Sequence, residues 1–188
     1  GIELDNSLIY DSAGNEGNDP WKYMNAPADV ENVLSIGAVN ASKEIASFSS
    51  FGPTSDNRIK PDVSAQGSSS YVINVYTGVP RTGNGTSFSS PIMAGVVACF
   101  WQAFPNLTNL QIMQRIRESS DRYNTPHEQY GYGVPNFQDA YNATLSIDKQ
   151  SFVNSTSVYP NPTTSNFTIQ TSITDLSSVK LQIFNVIG

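Results

Sequence analysis

The stretch "NGTSFSSPIMAG", Asn84 to Gly95, opens a helix and puts a serine, Ser87, at its lip two residues behind Gly85. Gly85 allows a sharp backbone turn and a close approach by another backbone. Pro91 is tolerated only within the first helical turn, which limits where the helix can start. The spacing predicts a helix from about Ser89 to Phe104, apolar nearly all round and therefore set inside the domain. Ser87 then lies among the unpaired backbone donors at the positive end of that helix. A serine so placed can attack a carbonyl while its own N–H steadies the developing oxyanion. It can equally be an N-cap, for which serine is among the preferred residues. Position 89 is Ser, so the Gly-x-Ser-x-Gly nucleophile elbow is excluded.

Upstream of this helix the chain reads as strands and turns. A short strand is predicted around Leu8 to Ser12, breaking into the turn "AGNEGND". "NVLSIGAVN", Asn32 to Asn40, is short and uniformly apolar, as a strand covered on both faces should be. Phe48 to Asp62 reads as loop, broken by Gly52-Pro53 and Lys60-Pro61, and "YVINVYTG", Tyr71 to Gly78, as a strand. Downstream, "LTNLQIMQRIRESS" has helical spacing with Thr108 or Asn109 as its cap. A last helix is predicted from about Pro135. Strands alternating with helices predict an α/β layered domain with a mostly parallel sheet, ending near Ile147. After a short linker, 148–156, the Thr/Ser/Val/Ile texture of residues 157–188 predicts the start of a β-sandwich module.

The 188 residues suffice for one domain and part of a second, and the net charge of −6 argues against nucleic acid or an anionic membrane as partner. The longest apolar run, Ile92 to Phe104, is too short to span a bilayer. Cys99 is the single cysteine, so no internal disulfide forms; it reads as a small buried hydrophobe. No Asp/Asn loop has calcium-ligand spacing, and no metal or cofactor is expected. The chain starts without methionine and stops within the strand-like "VKLQIFNVIG"; it is expected to be a piece of a longer protein.

Asn15, in "SAGNEG", follows a strand between glycine-rich steps. Asparagine there is an ordinary turn former, or its amide donates into a cleft. The segments "SAGNEG", "VLSIGAVN", "ASFSSFGP", "KPD" and "NGTSFSSPIMAG", in that order, resemble the C-terminal half of the catalytic domain of subtilisin-like serine proteases. The resemblance covers Leu8 to about Ala143 and implies a partial subtilisin-like three-layer fold. It implies that Ser87 is the nucleophile, that Asn15 is the side-chain oxyanion donor, and that the backbone of Ala13 and Gly14 lines the primary specificity pocket. Two positions depart from the family: Ile92 stands where His is frequent, and Ala65-Gln66-Gly67 where Ala-Pro-Gly is frequent. Neither carries a proton, so neither is expected to abolish activity.

A serine nucleophile needs a histidine base and an acid to orient it. In subtilisin-like proteases both precede the asparagine, so both are expected upstream of Gly1. The only histidine here, His127, lies in the polar loop "DRYNTPHEQYGYG" and is not assigned as the base; Asp11, Glu16 and Asp62 have no claim to the triad either. These residues alone are expected neither to hydrolyse peptides nor to react with a fluorophosphonate.

From about Ser157, "VYPNP", Phe167-Thr168-Ile169 and "VKLQIFNVIG" resemble the C-terminal sorting domain of the type IX secretion system of Bacteroidetes. That resemblance implies the secretion machinery as a partner and a secreted or surface location. Three readings remain at this point: a secreted serine endopeptidase acting on protein or peptide through an acyl-enzyme, a catalytically inactive subtilase-like surface protein used for binding, and an adhesin whose α/β part is only structural.

Overall fold

The computed structural model describes residues 7–145, 156–159 and 164–171. The chain divides into two compact units, Gly1–Asn142 and Ala143–Gly188. The first is built on a parallel sheet in the order β1 (Ile9–Ser12), β2 (Val33–Val39), β3 (Val63–Gln66). A hairpin, β4 (Ser70–Ile73) with β5 (Pro80–Gly83), leads into α1 (Thr86–Ala103). Then come α2 (Asn109–Glu118) and a third helix, α3, at 137–145. The α/β class with a parallel sheet is as the sequence predicts.

All seven residues of β2 are buried. Leu34 and Ile36 join Val63 of β3 in one cluster with Met93, Val97 and Phe100 of α1 and Ile112, Met113 and Ile116 of α2. Against the same sheet lies the segment 127–133: Ser64 N–H donates to Gly133 O, Ser64 Oγ to Tyr130 O, and Tyr132 N–H to Asp62 O. The same segment also covers the other face of β2, where a Cβ on Gly37 would lie 3.1 Å from Gln129 O. The central strand is therefore buried on both faces, and its sequence is uniformly apolar rather than alternating.

The entry to β3 is held by charge. Lys60 and Asp62 are 2% and 1% exposed, and Lys60 Nζ donates to Asp62 Oδ2 at 2.7 Å and to Val33 O at 2.6 Å. Asp62 Oδ2 also accepts Ser35 N–H, and Oδ1 accepts both Nε and Nη2 of Arg117 from α2. Burial holds the Lys60 ammonium below the usual lysine pKa. Asp62 thus serves as a structural hub tying β2, β3 and α2 together, which accounts for "KPD" without a catalytic role.

The elements differ from expectation in several places. α1 starts at Thr86 rather than about Ser89, so Pro91 is its sixth residue and lies inside the helix, past the first turn expected to hold it. Tyr71 to Gly78 is not one strand: β4 stops at Ile73, Gly78 takes φ +68° in the turn, and β5 returns antiparallel. The sequence pattern does not announce β3: four residues, two beyond Pro61 and ending before Gly67, give too short a run to read. Thr108, not Asn109, caps α2, its side chain and that of Gln111 forming a reciprocal capping box. α1 does not lie wholly inside: Met93, Val97 and Phe100 face the sheet, but Ile92 and Val96 are 46% and 41% exposed and Cys99 is also exposed. The expectation of a buried Cys99 is therefore corrected. The helix is apolar all round, so periodicity could not say which side the sheet would take.

In the second unit β6 (Thr156–Tyr159) pairs antiparallel with β7 (Thr168–Thr171). The expected linker, apart from Thr156, and the "VKLQIFNVIG" strand lie outside the described residues.

Candidate active site

α1 begins at Thr86, with Gly85 as its N-cap and no side chain capping it. Ser87 is therefore not the cap; it is an exposed residue of the first turn. The first backbone donor of the helix, Thr86 N–H, is satisfied from a distance instead. It donates to Asn15 Oδ1 at 2.9 Å, and Thr86 Oγ1 donates to the same oxygen at 3.2 Å. Asn15 thus caps α1 from across the fold, 71 residues away in sequence.

This arrangement fixes the sense of the Asn15 amide. With Oδ1 committed to the residue before Ser87, the Nδ2 donor of Asn15 is left on the other side of the amide. Gly85 shows how close the pieces are. A Cβ on it would lie 3.7 Å from Asn15 Oδ1 and 3.8 Å from Ser87 N, and its φ of +150° favours glycine. Asn15 and Ser87, brought together by resemblance alone in the sequence, are thereby neighbours around one spot.

Asn15 itself stands at the end of a short run off β1. Ala13 is 1% exposed and its N–H donates to Ile36 O at 2.9 Å, continuing the pairing with β2. Gly14 has φ +104°, and its carbonyl accepts Ser50 N–H at 3.0 Å. Ala13 and Gly14 are therefore adjacent to Asn15 on a held backbone. Nothing in the sequence singles out Thr86 or Ser50 for these contacts. Thr86 was visible only as the middle of Gly-Thr-Ser, and Ser50 is one serine in a serine-rich loop 34 residues from its partner.

His127 is in a turn of its own. Its backbone pairs with Gly131, its Nδ1 accepts Gln129 N–H at 3.1 Å, and its ring meets Tyr130 edge-on at 5.6 Å. None of its described contacts involves Ser87. Among the described residues no group of three or more His, Cys, Asp or Glu side chains is placed to hold a metal ion. Nor is any described helix long and apolar enough to cross a membrane.

Comparison with known proteins shows the family. Residues 2–133 match the model of the subtilase family, and residues 157–188 match that of the secretion system C-terminal sorting domain. A thermostable alkaline protease of Halalkalibacterium halodurans is 34% identical over 130 residues, covering 68% of this chain and 32% of that protein. Subtilisin DY of Bacillus licheniformis is 32% identical over 134 residues, covering 71% and 46%. Subtilisin E of Bacillus subtilis is 35% identical over 134 residues, covering 71% and 33%. The chain thus spans a third to a half of the length of these relatives. The self-cleaved protease domain of PatA shares the fold with a TM-score of 0.62 at 23% identity, over 75% of this chain and 51% of that one. The chain belongs to the subtilase family of serine peptidases and carries a C-terminal sorting domain of the type IX secretion kind.

Proposed function

We propose that the protein containing this chain is a secreted serine endopeptidase in which Ser87 is the nucleophile. Ser87 Oγ attacks the scissile carbonyl, giving its proton to a base, and the C–N bond then breaks as that proton passes to the leaving amine. Water releases the acyl group in a second, mirrored step. The Nδ2 donor of Asn15 and the N–H of Ser87 hold the oxyanion, and the backbone of Ala13 and Gly14 forms one wall of the pocket for the residue before the cut. The observation that carries this reading is the bond from Thr86 to Asn15 Oδ1, which ties the amide to the residue preceding the nucleophile.

The base and its acid belong to residues outside this sequence. The single histidine is occupied in its own turn, and Asp62 is locked between Lys60 and Arg117. The sorting domain supports export, with the type IX machinery as a partner and a secreted or surface-anchored product in a Bacteroidetes-like bacterium.

A fluorophosphonate probe tests the assignment. A longer form carrying an upstream Asp and His labels rapidly at Ser87, and Ser87→Ala abolishes labelling; the 188-residue chain labels no faster than free serine. Rapid labelling of the chain itself refutes the missing base. Failure of a longer form with both partners present refutes Ser87.

A further inference from the structure

The proposed donor, Asn15, lies on an exposed turn, yet an oxyanion donor must be held to within about 0.5 Å of its productive position. Thr86 anchors the side chain. What anchors the backbone on either side is a single residue from a different loop, Ser50, which is fully buried at 0% exposure. Its N–H donates to Gly14 O at 3.0 Å. Its Oγ accepts Glu16 N–H at 3.0 Å and donates to Glu16 Oε2 at 2.6 Å. The hydroxyl thereby uses its donor and an acceptor position on one residue, closing a ring with Glu16. One residue on, Gly17 N–H donates to Phe48 O at 2.8 Å, so the loop of Ser50 runs along the whole turn.

We propose that Ser50 is a positioning residue for the oxyanion donor: it clamps the residues before and after Asn15, so that the side chain fixed by Thr86 projects from a rigid base. It also holds the Glu16 carboxylate folded back beside Gly14, where a Cβ on Gly14 would collide with Glu16 Oε2. The residue next to the proposed pocket wall is thereby set by the same hydroxyl. This inference rests on the assignment of Asn15 in the proposed function, and Ser50 touches no reacting atom.

Ser50→Ala deletes both Oγ bonds while leaving its backbone bond to Gly14. In the 188-residue chain, NMR reads the Asn15 side-chain amide and the exchange of Glu16 N–H directly. Ser50→Ala is expected to speed Glu16 N–H exchange about tenfold or more and to raise the fast motion of Asn15 Nδ2. Ser64→Ala is the control: Ser64 is as buried and also loses a hydroxyl bond, to Tyr130 O, away from this turn. It is expected to lower stability without moving either signal. If Ser50→Ala does not fold, Ser50→Cys keeps the shape with a poor hydrogen-bonding group and takes the same readouts. In a hydrolysing form, Ser50→Ala is expected to lower kcat about tenfold with KM nearly unchanged, and Glu16→Gln, which keeps the acceptor, to retain most of kcat. Unaltered Asn15 and Glu16 signals in folded Ser50→Ala, or equal changes in Ser64→Ala, overturn the proposal. If no form hydrolyses peptides, the proteolytic reading falls, and the NMR comparison still decides the clamp.

Discussion

Asn15 and Thr86 meet through one oxygen: the Oδ1 of Asn15 accepts both the backbone N–H and the hydroxyl of Thr86, at 2.9 and 3.2 Å. A single amide therefore has two separable duties. Its oxygen caps α1, and its nitrogen is the proposed oxyanion donor.

Asn15→Asp and Asn15→Ala separate them. Aspartate keeps the cap and loses the donor; alanine loses both. In the 188-residue chain, Asn15→Ala is expected to cost about 0.5–2 kcal/mol of stability, the range for a lost helix cap, and Asn15→Asp much less. In a hydrolysing form both are expected to lower turnover about 10²–10³-fold with little change in KM, a magnitude taken over from a subtilisin's own oxyanion asparagine. Chemical denaturation and steady-state kinetics check the two halves. Unchanged turnover removes Asn15 from the mechanism.

The buried charges predict an asymmetry. Replacing Asp62 by Asn leaves Lys60 and Arg117 without their shared partner, and breaking a buried ion pair from one side costs about 3–5 kcal/mol. Lys60→Met should cost less, because Asp62 keeps Arg117 and Ser35 and a desolvated ammonium is removed. Urea midpoints of the two variants give the comparison; an equal or larger loss for Lys60→Met contradicts the role of Asp62 as hub.

At alkaline pH the informative group is Tyr10. Burial raises its phenol to about 12 from the usual 10.0. The folded state then keeps a proton that the unfolded chain releases, so stability from Tyr10 is whole below pH 10 and is lost as pH rises through about 12. A spectroscopic titration should show a late tyrosine ionisation that is absent in Tyr10→Phe, and the variant should lose less stability over that window. A late step that persists in Tyr10→Phe assigns it elsewhere.

Cys99 gives a direct check on α1. Because the thiol is exposed, a disulfide reagent should titrate one thiol per chain without denaturant. Reaction only after unfolding means that this side of α1 is covered in solution.

Much of this molecule was legible from its residues. Val33–Val39 showed itself as a doubly covered strand, but Pro91 misplaced the start of the serine helix, because α1 begins at Thr86 and the proline is its sixth residue, past the first turn. Asn15 and Ser87 were readable only through family resemblance, because serine and asparagine in glycine-rich turns have commoner duties. What could not be read was long-range pairing. Nothing local to Thr86 announces that its N–H meets a side chain from residue 15, and nothing in "ASFSSFGP" singles out which serine reaches Gly14 and Glu16. The exposed stripe of Ile92, Val96 and Cys99 escaped for a different reason: an all-apolar helix has no polar face to indicate where solvent begins.

The first turn of α1 holds no acidic residue and its last turn no basic one. The chain's own side chains in those turns therefore leave the aligned peptide dipoles unopposed, and about half a unit of positive charge stands at the amino end where Ser87 sits. That field is built by the backbone when the protein folds. In the proposed reaction it needs no rearrangement when a carbonyl turns into an anion, and no single side-chain substitution in the body of the helix can switch it off.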